Sequence, residues 1–256
     1  MGWKWAERVL WAAQGLLTAR VEDFPSSGPL EEKLAGRAEA ARLLCDGFGR
    51  YTPVMVPGQT LDRALQEASE TLKAFQEDAE QRRAFEAFVE LCISTLESGG
   101  RLLACGNGGS LCDAMHFAQE WAGRLFRDRP ALSAMALADP AQLTAIANDY
   151  GFEQVFSRQL EAHGRPGDLL VAISTSGNSD NVVHAVDSAR RLGIKSVGLL
   201  GRGGGKLRER VDLALVVPHT ARPDRIQEMH IKILHATIEA AEMRLFPELA
   251  VDSESS

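Results

Sequence analysis

His116 and Glu120 stand four residues apart in the stretch CGNGGSLCDAMHFAQE, residues 105 to 120, just behind two glycines and a serine. On a helix that spacing puts an imidazole and a carboxylate on one face, a pairing able to move protons. The same spacing also makes an ordinary surface hydrogen bond. The turn ahead of it, GNGGS, supplies Asn107, Gly108, Gly109 and Ser110. Its glycines let backbone approach a ligand, and the helix that follows offers free N–H groups and a partial positive charge. A glycine-rich turn also simply joins strand to helix. This one has neither the GxGxxG spacing nor the lysine of a P-loop.

A second loop, ISTSGNSDN (residues 173 to 181), carries Ser174, Thr175, Ser176 and Ser179 around Gly177. Ser179 alone would read as a helix N-cap. Four hydroxyls in six residues exceed what one cap requires. Such a loop suits a phosphate monoester, bound by hydroxyls and backbone N–H groups without Lys or Arg. Two loops of this kind imply a small phosphorylated ligand.

The elements that must position these loops are legible as apolar runs. RLLAC (101–105), ALSAMAL (131–137), DLLVAIS (168–174), KSVGLLG (195–201) and LALVVP (213–218) read as strands. Helical stretches at 112–125, 141–148, 152–162 and 180–192 separate several of them. Short apolar strands alternating with helices predict an α/β fold with a mostly parallel sheet covered on both faces. In such sheets ligands bind beyond the carboxyl ends of the strands, where both loops fall. Upstream, Leu61, Leu65, Ala68, Leu72 and Phe75 predict a long amphipathic helix from Thr60. Phe85, Phe88, Val89, Cys92 and Leu96 predict a second, ended by Gly99 and Gly100. Their stripes bury either within one subunit or against another copy.

Residues 1–58 read as a helical extension with an amphipathic segment at 3–17 and breakers at 23–29 and 49–59. Residues 59–256 form the main domain. The N-terminus lacks the pattern of a signal peptide, and Ala6 stands where a myristoylation motif needs Ser or Thr. The chain has 256 residues and a formal net charge of −7 with no long basic run, which argues against nucleic-acid binding. No apolar stretch reaches the roughly 20 residues of a membrane span. Four cysteines without a CxxC pair read as reduced thiols of a cytoplasmic protein.

CDAMHFAQEWAGRL, ANDYGF, STSGNS and DRIQEMHIKILH occur in this order, and with GNGGS they resemble the phosphoheptose isomerases of the SIS (sugar isomerase) family. The resemblance spans residues 60 to 248; the extension departs from it, as does Leu111. It implies a three-layer α/β/α sandwich with a five-stranded sheet, preceded by long N-terminal helices. It also implies a homotetramer with sites near subunit interfaces. The activity implied is conversion of sedoheptulose 7-phosphate to an aldose phosphate through an enediol, opening ADP-heptose synthesis for lipopolysaccharide core or a related glycan.

By the same resemblance His116, Glu120, Gln227 and His235 match the ligands of one zinc ion per subunit. Glu120 matches the carbon base and His235 the acid or proton shuttle. Asn107, Gly108, Gly109, Ser110, Glu120, Asn148, Asp149, Ser174, Thr175, Ser176, Ser179 and Gln227 match substrate contacts. Arg124 serves the phosphate, an interface or only solvent. Asp224 lies beside the zinc helix, or is simply its N-cap. Gln227 and His235 are separated by about 12 Å of helical rise, so they meet one ion only by leaning together or by sharing it between subunits. His163, His184, His219 and His230 read as structural.

A different class of function remains open at this level. Some SIS proteins are non-catalytic adaptors that bind a replication initiator protein, and others sense phosphosugars. An adaptor has no need of His116, Glu120, Gln227 and His235 together, and this chain carries all four.

Overall fold

Five apolar runs pair as one fully parallel sheet in the computed structural model, which describes residues 57–248 apart from 219 and 221. His219 and the helices read before residue 50 lie outside the described residues. In chain order the elements begin with α1 (Pro57–Glu77), α2 (Ala79–Glu97), β1 (Leu102–Gly106), α3 (Gly109–Ala122), β2 (Ala134–Ala136) and α4 (Pro140–Tyr150). A 3₁₀ turn, Phe152–Gln154, leads into α5 (Val155–His163), β3 (Leu169–Ser174), α6 (Asp180–Arg191) and β4 (Lys195–Leu200). A second 3₁₀ segment, Arg202–Leu207, precedes β5 (Leu213–Val216) and α7 (Pro223–Leu245). Strand order is β2-β1-β3-β4-β5.

Alternation along each strand sends side chains to two separate cores. Leu102, Ala104, Leu169, Val171 and Ile173 face one layer, where Phe88 and Cys92 of α2, Phe117 and Trp121 of α3 and Leu234 and Ile238 of α7 meet them. Leu103, Cys105, Leu170 and Ala172 face the other, against Phe156 and Leu160 of α5 and Val182 and Val186 of α6. Burial on both faces is why the strands read as continuous apolar runs. The expected three-layer sandwich is therefore the architecture observed.

Boundaries shift where local chemistry decides them. α1 already includes Pro57, upstream of the Thr60 expected. Asp78 breaks α1 from α2 by accepting from the backbone N–H of Glu80 and Gln81 at 2.9 and 3.1 Å. α3 starts three residues earlier than its apolar pattern, since the turn itself coils into the first helical residues. β2 shrinks to three residues at the sheet edge; Leu132 N–H bonds instead to Trp121 O at the end of α3. Leu61, Leu65 and Leu72 on α1 are 59%, 60% and 45% exposed, so this stripe is not buried within the described unit.

His230 is wholly buried where α7 crosses β4, with Nε2 3.2 Å from Leu200 O and Nδ1 without a partner among the described residues. Burial disfavours the imidazolium and lowers its pKa from 6.5 to about 4. A depressed folded-state pKa means the contribution is fully present above pH 6.5 and is lost as pH falls through about 4. The expected result is a loss of about 3 kcal/mol of unfolding free energy across that window. Urea unfolding at a series of pH values checks it, and His230→Gln should flatten the dependence.

Candidate active site

Both loops leave the sheet at the carboxyl ends of neighbouring strands, β1 and β3, and α7 closes over them. After β1 the chain turns at Gly108, whose φ of 54° suits glycine. A side chain at Gly109 would run into the Gln227 amide, with its Cβ 2.3 Å from Oε1, so α7 seats directly on this turn. A side chain at Gly201 would meet Thr175 O at 2.7 Å and Ile226 Cδ1 at 2.5 Å. The start of α7 thus touches the second loop's side of the sheet through Ile226 and the first loop through Gln227.

α3 and α7 bring the expected chemistry together. His116 Nε2 lies 2.8 Å from His235 Nε2 and 3.4 Å from Glu120 Oε1. The two rings meet edge to face, 5.0 Å between centroids. Glu120 is largely covered, its side chain 12% exposed, while that of His116 is 41% exposed. Desolvation, then the neighbouring His116, lowers the pKa of His235, against a smaller opposing pull from Glu120. A lowered pKa keeps the imidazole neutral near pH 7, with a lone pair for a proton or a cation. Arg129, 0% exposed at its side chain, pairs with Glu242 at 2.6 Å. It also donates to the carbonyls of Glu120 and Trp121, both at 2.9 Å, fastening the end of α3 that carries Glu120.

Gln227 stands apart from this cluster. Its Nε2 lies 3.4 Å from Asp113 Oδ1, two helical turns before His235. Asp113 is 7% exposed with Oδ2 unpartnered among the described residues; burial raises its pKa, opposed by the Gln227 hydrogen bond. Sequence reading passed over Asp113, although it lies three residues before His116 on the same helical face. It also passed over Asn181, whose amide forms a reciprocal pair with that of Asn107, both hydrogen bonds 2.8 Å long. This pair ties the first loop to α6. Asn107 retains one N–H and one carbonyl lone pair for a ligand.

In the second loop the hydroxyls converge. Ser174 Oγ is 3.5 Å from Ser176 Oγ and 3.3 Å from Ser179 Oγ, and accepts from Gly177 N–H at 3.1 Å. Ser179 occupies the N-cap position of α6 but makes no side-chain cap hydrogen bond, so its hydroxyl is directed to the loop instead. Ser179→Ala should therefore weaken binding of a phosphorylated ligand about ten-fold. Stability should change by under about 0.5 kcal/mol, below the usual loss for a working cap. Paired ligand titrations and thermal melts check this.

The remaining candidates are more scattered. Asn148 and Asp149 are exposed at the end of α4 and hydrogen-bond to one another at 2.7 Å. Arg124 is exposed just beyond α3. Asp224 is not the cap of α7: Pro223 takes the first helical position, which moves the cap to Arg222. Asp224 pairs with Arg222 at 2.6 Å, and that hydrogen bond holds its carboxyl down at about 2.

The donor set suits a zinc-like ion: two imidazole nitrogens and one carboxylate, with His235 held neutral. As placed, no group of three or more His, Cys, Asp or Glu side chains among the described residues has ligating geometry. Ligand nitrogens on one tetrahedral ion stand roughly 3.3 Å apart, so the 2.8 Å histidine pair must open by about half an ångström. The residues fit the group by type.

Comparison with known proteins gives a consistent picture. The SIS domain profile matches residues 65–201. A phosphoheptose isomerase of Tolumonas auensis is 47% identical over 193 residues, covering 75% of this chain and 98% of that one. One from Fusobacterium nucleatum is 46% identical over 183 residues, covering 72% and 94%. Among solved structures, a phosphoheptose isomerase of Neisseria gonorrhoeae has 43% identity and a TM-score of 0.65, covering 72% of this chain and 98% of that one. Another, from Francisella tularensis, has 33% identity and a TM-score of 0.70, covering 74% and 100%.

Proposed function

This chain belongs to the phosphoheptose isomerase family of SIS-domain proteins, and on that premise we propose that it converts sedoheptulose 7-phosphate to the corresponding aldose, a heptose 7-phosphate. The observation that carries the reading is the convergence of His116, His235 and Glu120 on the helices that close over the two loops. Isomerisation moves a proton between C1 and C2, and a hydrogen between their oxygens, through an enediol. The hydroxyl loop of Ser174, Thr175, Ser176 and Ser179 holds the phosphate and so fixes the far end of the sugar. Glu120 takes the proton from carbon and returns it to the adjacent carbon. His235, neutral before the reaction, relays the proton between the two oxygens.

His116, Glu120, Gln227 and His235 would hold a zinc ion. When bound, it supplies Lewis-acid stabilisation of the charge that develops on the substrate oxygens. The exposed leucine stripe of α1 supports burial against other copies in a homotetramer. Exposure of Asn148 and Asp149 suits a sugar site completed across such an interface. No described helix is long and apolar enough to cross a membrane, and the cytoplasm, where sugar phosphates are made, is the compartment we assign. The reaction would then feed ADP-heptose synthesis. A purely adaptor role gives no reason for a neutral histidine beside a carboxylate at this edge of the sheet.

Turnover of sedoheptulose 7-phosphate, unphosphorylated sedoheptulose and fructose 6-phosphate tests the substrate. The seven-carbon phosphate should have the highest kcat/KM. A preference for fructose 6-phosphate would overturn the chain-length assignment, and equal use of unphosphorylated sedoheptulose would overturn the phosphate loop.

A further inference from the structure

Against the hydroxyl loop lies the segment Arg202–Leu207, with three consecutive glycines, Gly203, Gly204 and Gly205, at φ of 77°, 93° and 53°. Those angles are open to glycine and strained for other residues. The absence of side chains brings the two backbones together: a Cβ on Gly177 would lie 1.9 Å from Gly204 O, and one on Gly205 would lie 2.6 Å from Ser176 O. Hydrogen bonds then join the segments. Leu207 N–H donates to Gly177 O at 3.0 Å, and Lys206 N–H donates to Asn178 Oδ1 at 3.0 Å. Asn178 in turn donates from Nδ2 to Ser176 O at 3.0 Å, and from its backbone N–H to Ser176 Oγ at 3.1 Å. One asparagine side chain therefore links the glycine turn to the residue that presents a loop hydroxyl.

We infer that the Arg202–Leu207 turn, acting through Asn178, is the positioning element that holds the hydroxyl loop in its anion-binding shape. The inference rests on reading that loop as the phosphate site. A loop that binds a dianion through hydroxyls and N–H groups, without a cation of its own, depends on those donors being arrayed before the ligand arrives. Lys206 lends no free charge, since its Nζ pairs with Asp180 at 2.9 Å. Asn178 is exposed and Ser176 partly so, and neither belongs to either apolar core, so the link can be cut without opening the fold.

The test compares wild-type protein with Asn178→Ala and Gly205→Ala. Inorganic phosphate serves as a competitive inhibitor and sedoheptulose 7-phosphate as substrate. Asn178→Ala should raise both the phosphate inhibition constant and KM about ten-fold, with kcat moving by no more than about three-fold, the signature of lost binding common to ground and transition states. Gly205→Ala should shift the same constants further in the same direction, because its Cβ presses on Ser176 O. Wild-type inhibition by phosphate with an unchanged Asn178→Ala protein would overturn the inference alone, as would a fall in kcat at constant KM. A wild-type protein indifferent to phosphate would overturn the phosphate-loop reading itself and the inference with it. Since Asn178→Ala removes only an exposed side chain, a misfolded Gly205→Ala protein leaves the decision with the first variant.

Discussion

Glu120→Gln is expected to lower kcat by about two orders of magnitude or more, the contribution typical of a positioned acid–base group. The amide keeps the size and reach of the carboxylate and removes its basicity. Its surroundings should stay in place, because Arg129 fastens the carbonyl of residue 120 rather than the side chain. KM should move little, since in the proposed reading the hydroxyl loop on β3 and α6, not Glu120, holds the phosphate. His235→Gln should resemble it in turnover. Because Glu120 and His235 are also candidate metal ligands, metal content has to be measured in each variant before rates are compared. A Glu120→Gln protein that keeps its metal and near-normal turnover would transfer the base role to another residue, with the buried Asp113 the nearest carboxylate in sequence on the same face.

Stripping divalent metal should cost at least as much. His116 and His235 approach to 2.8 Å with Glu120 beside them, an arrangement of donors that a tetrahedral ion would hold apart and orient. Prolonged dialysis against a chelator is expected to reduce turnover by about 10²-fold or more, with zinc restoring it. Elemental analysis supplies a second readout: about one equivalent per subunit in wild type, and substantially less in His116→Ala. A chelated protein that is demonstrably metal-free and fully active would remove zinc from the account and leave Glu120 and His235 as a metal-independent acid–base pair.

Much of this architecture was legible because it depends on local pattern. β1, β3 and β4 are buried on both faces, and burial of that kind leaves continuous apolar runs. The His116–Glu120 face follows from helical periodicity alone, and both glycine and hydroxyl loops announce themselves by composition. Features that depend on distant segments meeting were not legible. Asn107 and Asn181 pair across 74 positions, and Arg129 reaches Glu242 across 113. Arg124, inside the stretch read as helical at 112–125, drew attention instead of Arg129, because nothing in a sequence tells a buried arginine from a solvated one until its carboxylate partner is known. Asp113 shared a helical face with His116, but its burial comes from α7 seating above it. Similarly, the α1 stripe of Leu61, Leu65 and Leu72 showed an apolar face without showing what covers it, and within the described unit it remains exposed. The glycine turn at 203–205 drew no reading, since its partner, the hydroxyl loop, lies more than twenty residues away.

The central claim is that this protein converts a ketose phosphate rather than only binding one. Sedoheptulose 7-phosphate labelled with carbon-13 at C2, incubated with the full chain and followed by NMR, tests it most directly. The account predicts that the ketose C2 signal gives way to that of an aldose carbon bearing hydrogen, at a rate that falls about 10²-fold or more in Glu120→Gln. Saturable binding of the labelled sugar by zinc-loaded protein, with the C2 signal unchanged over hours, would contradict it and leave a phosphosugar-binding protein in its place.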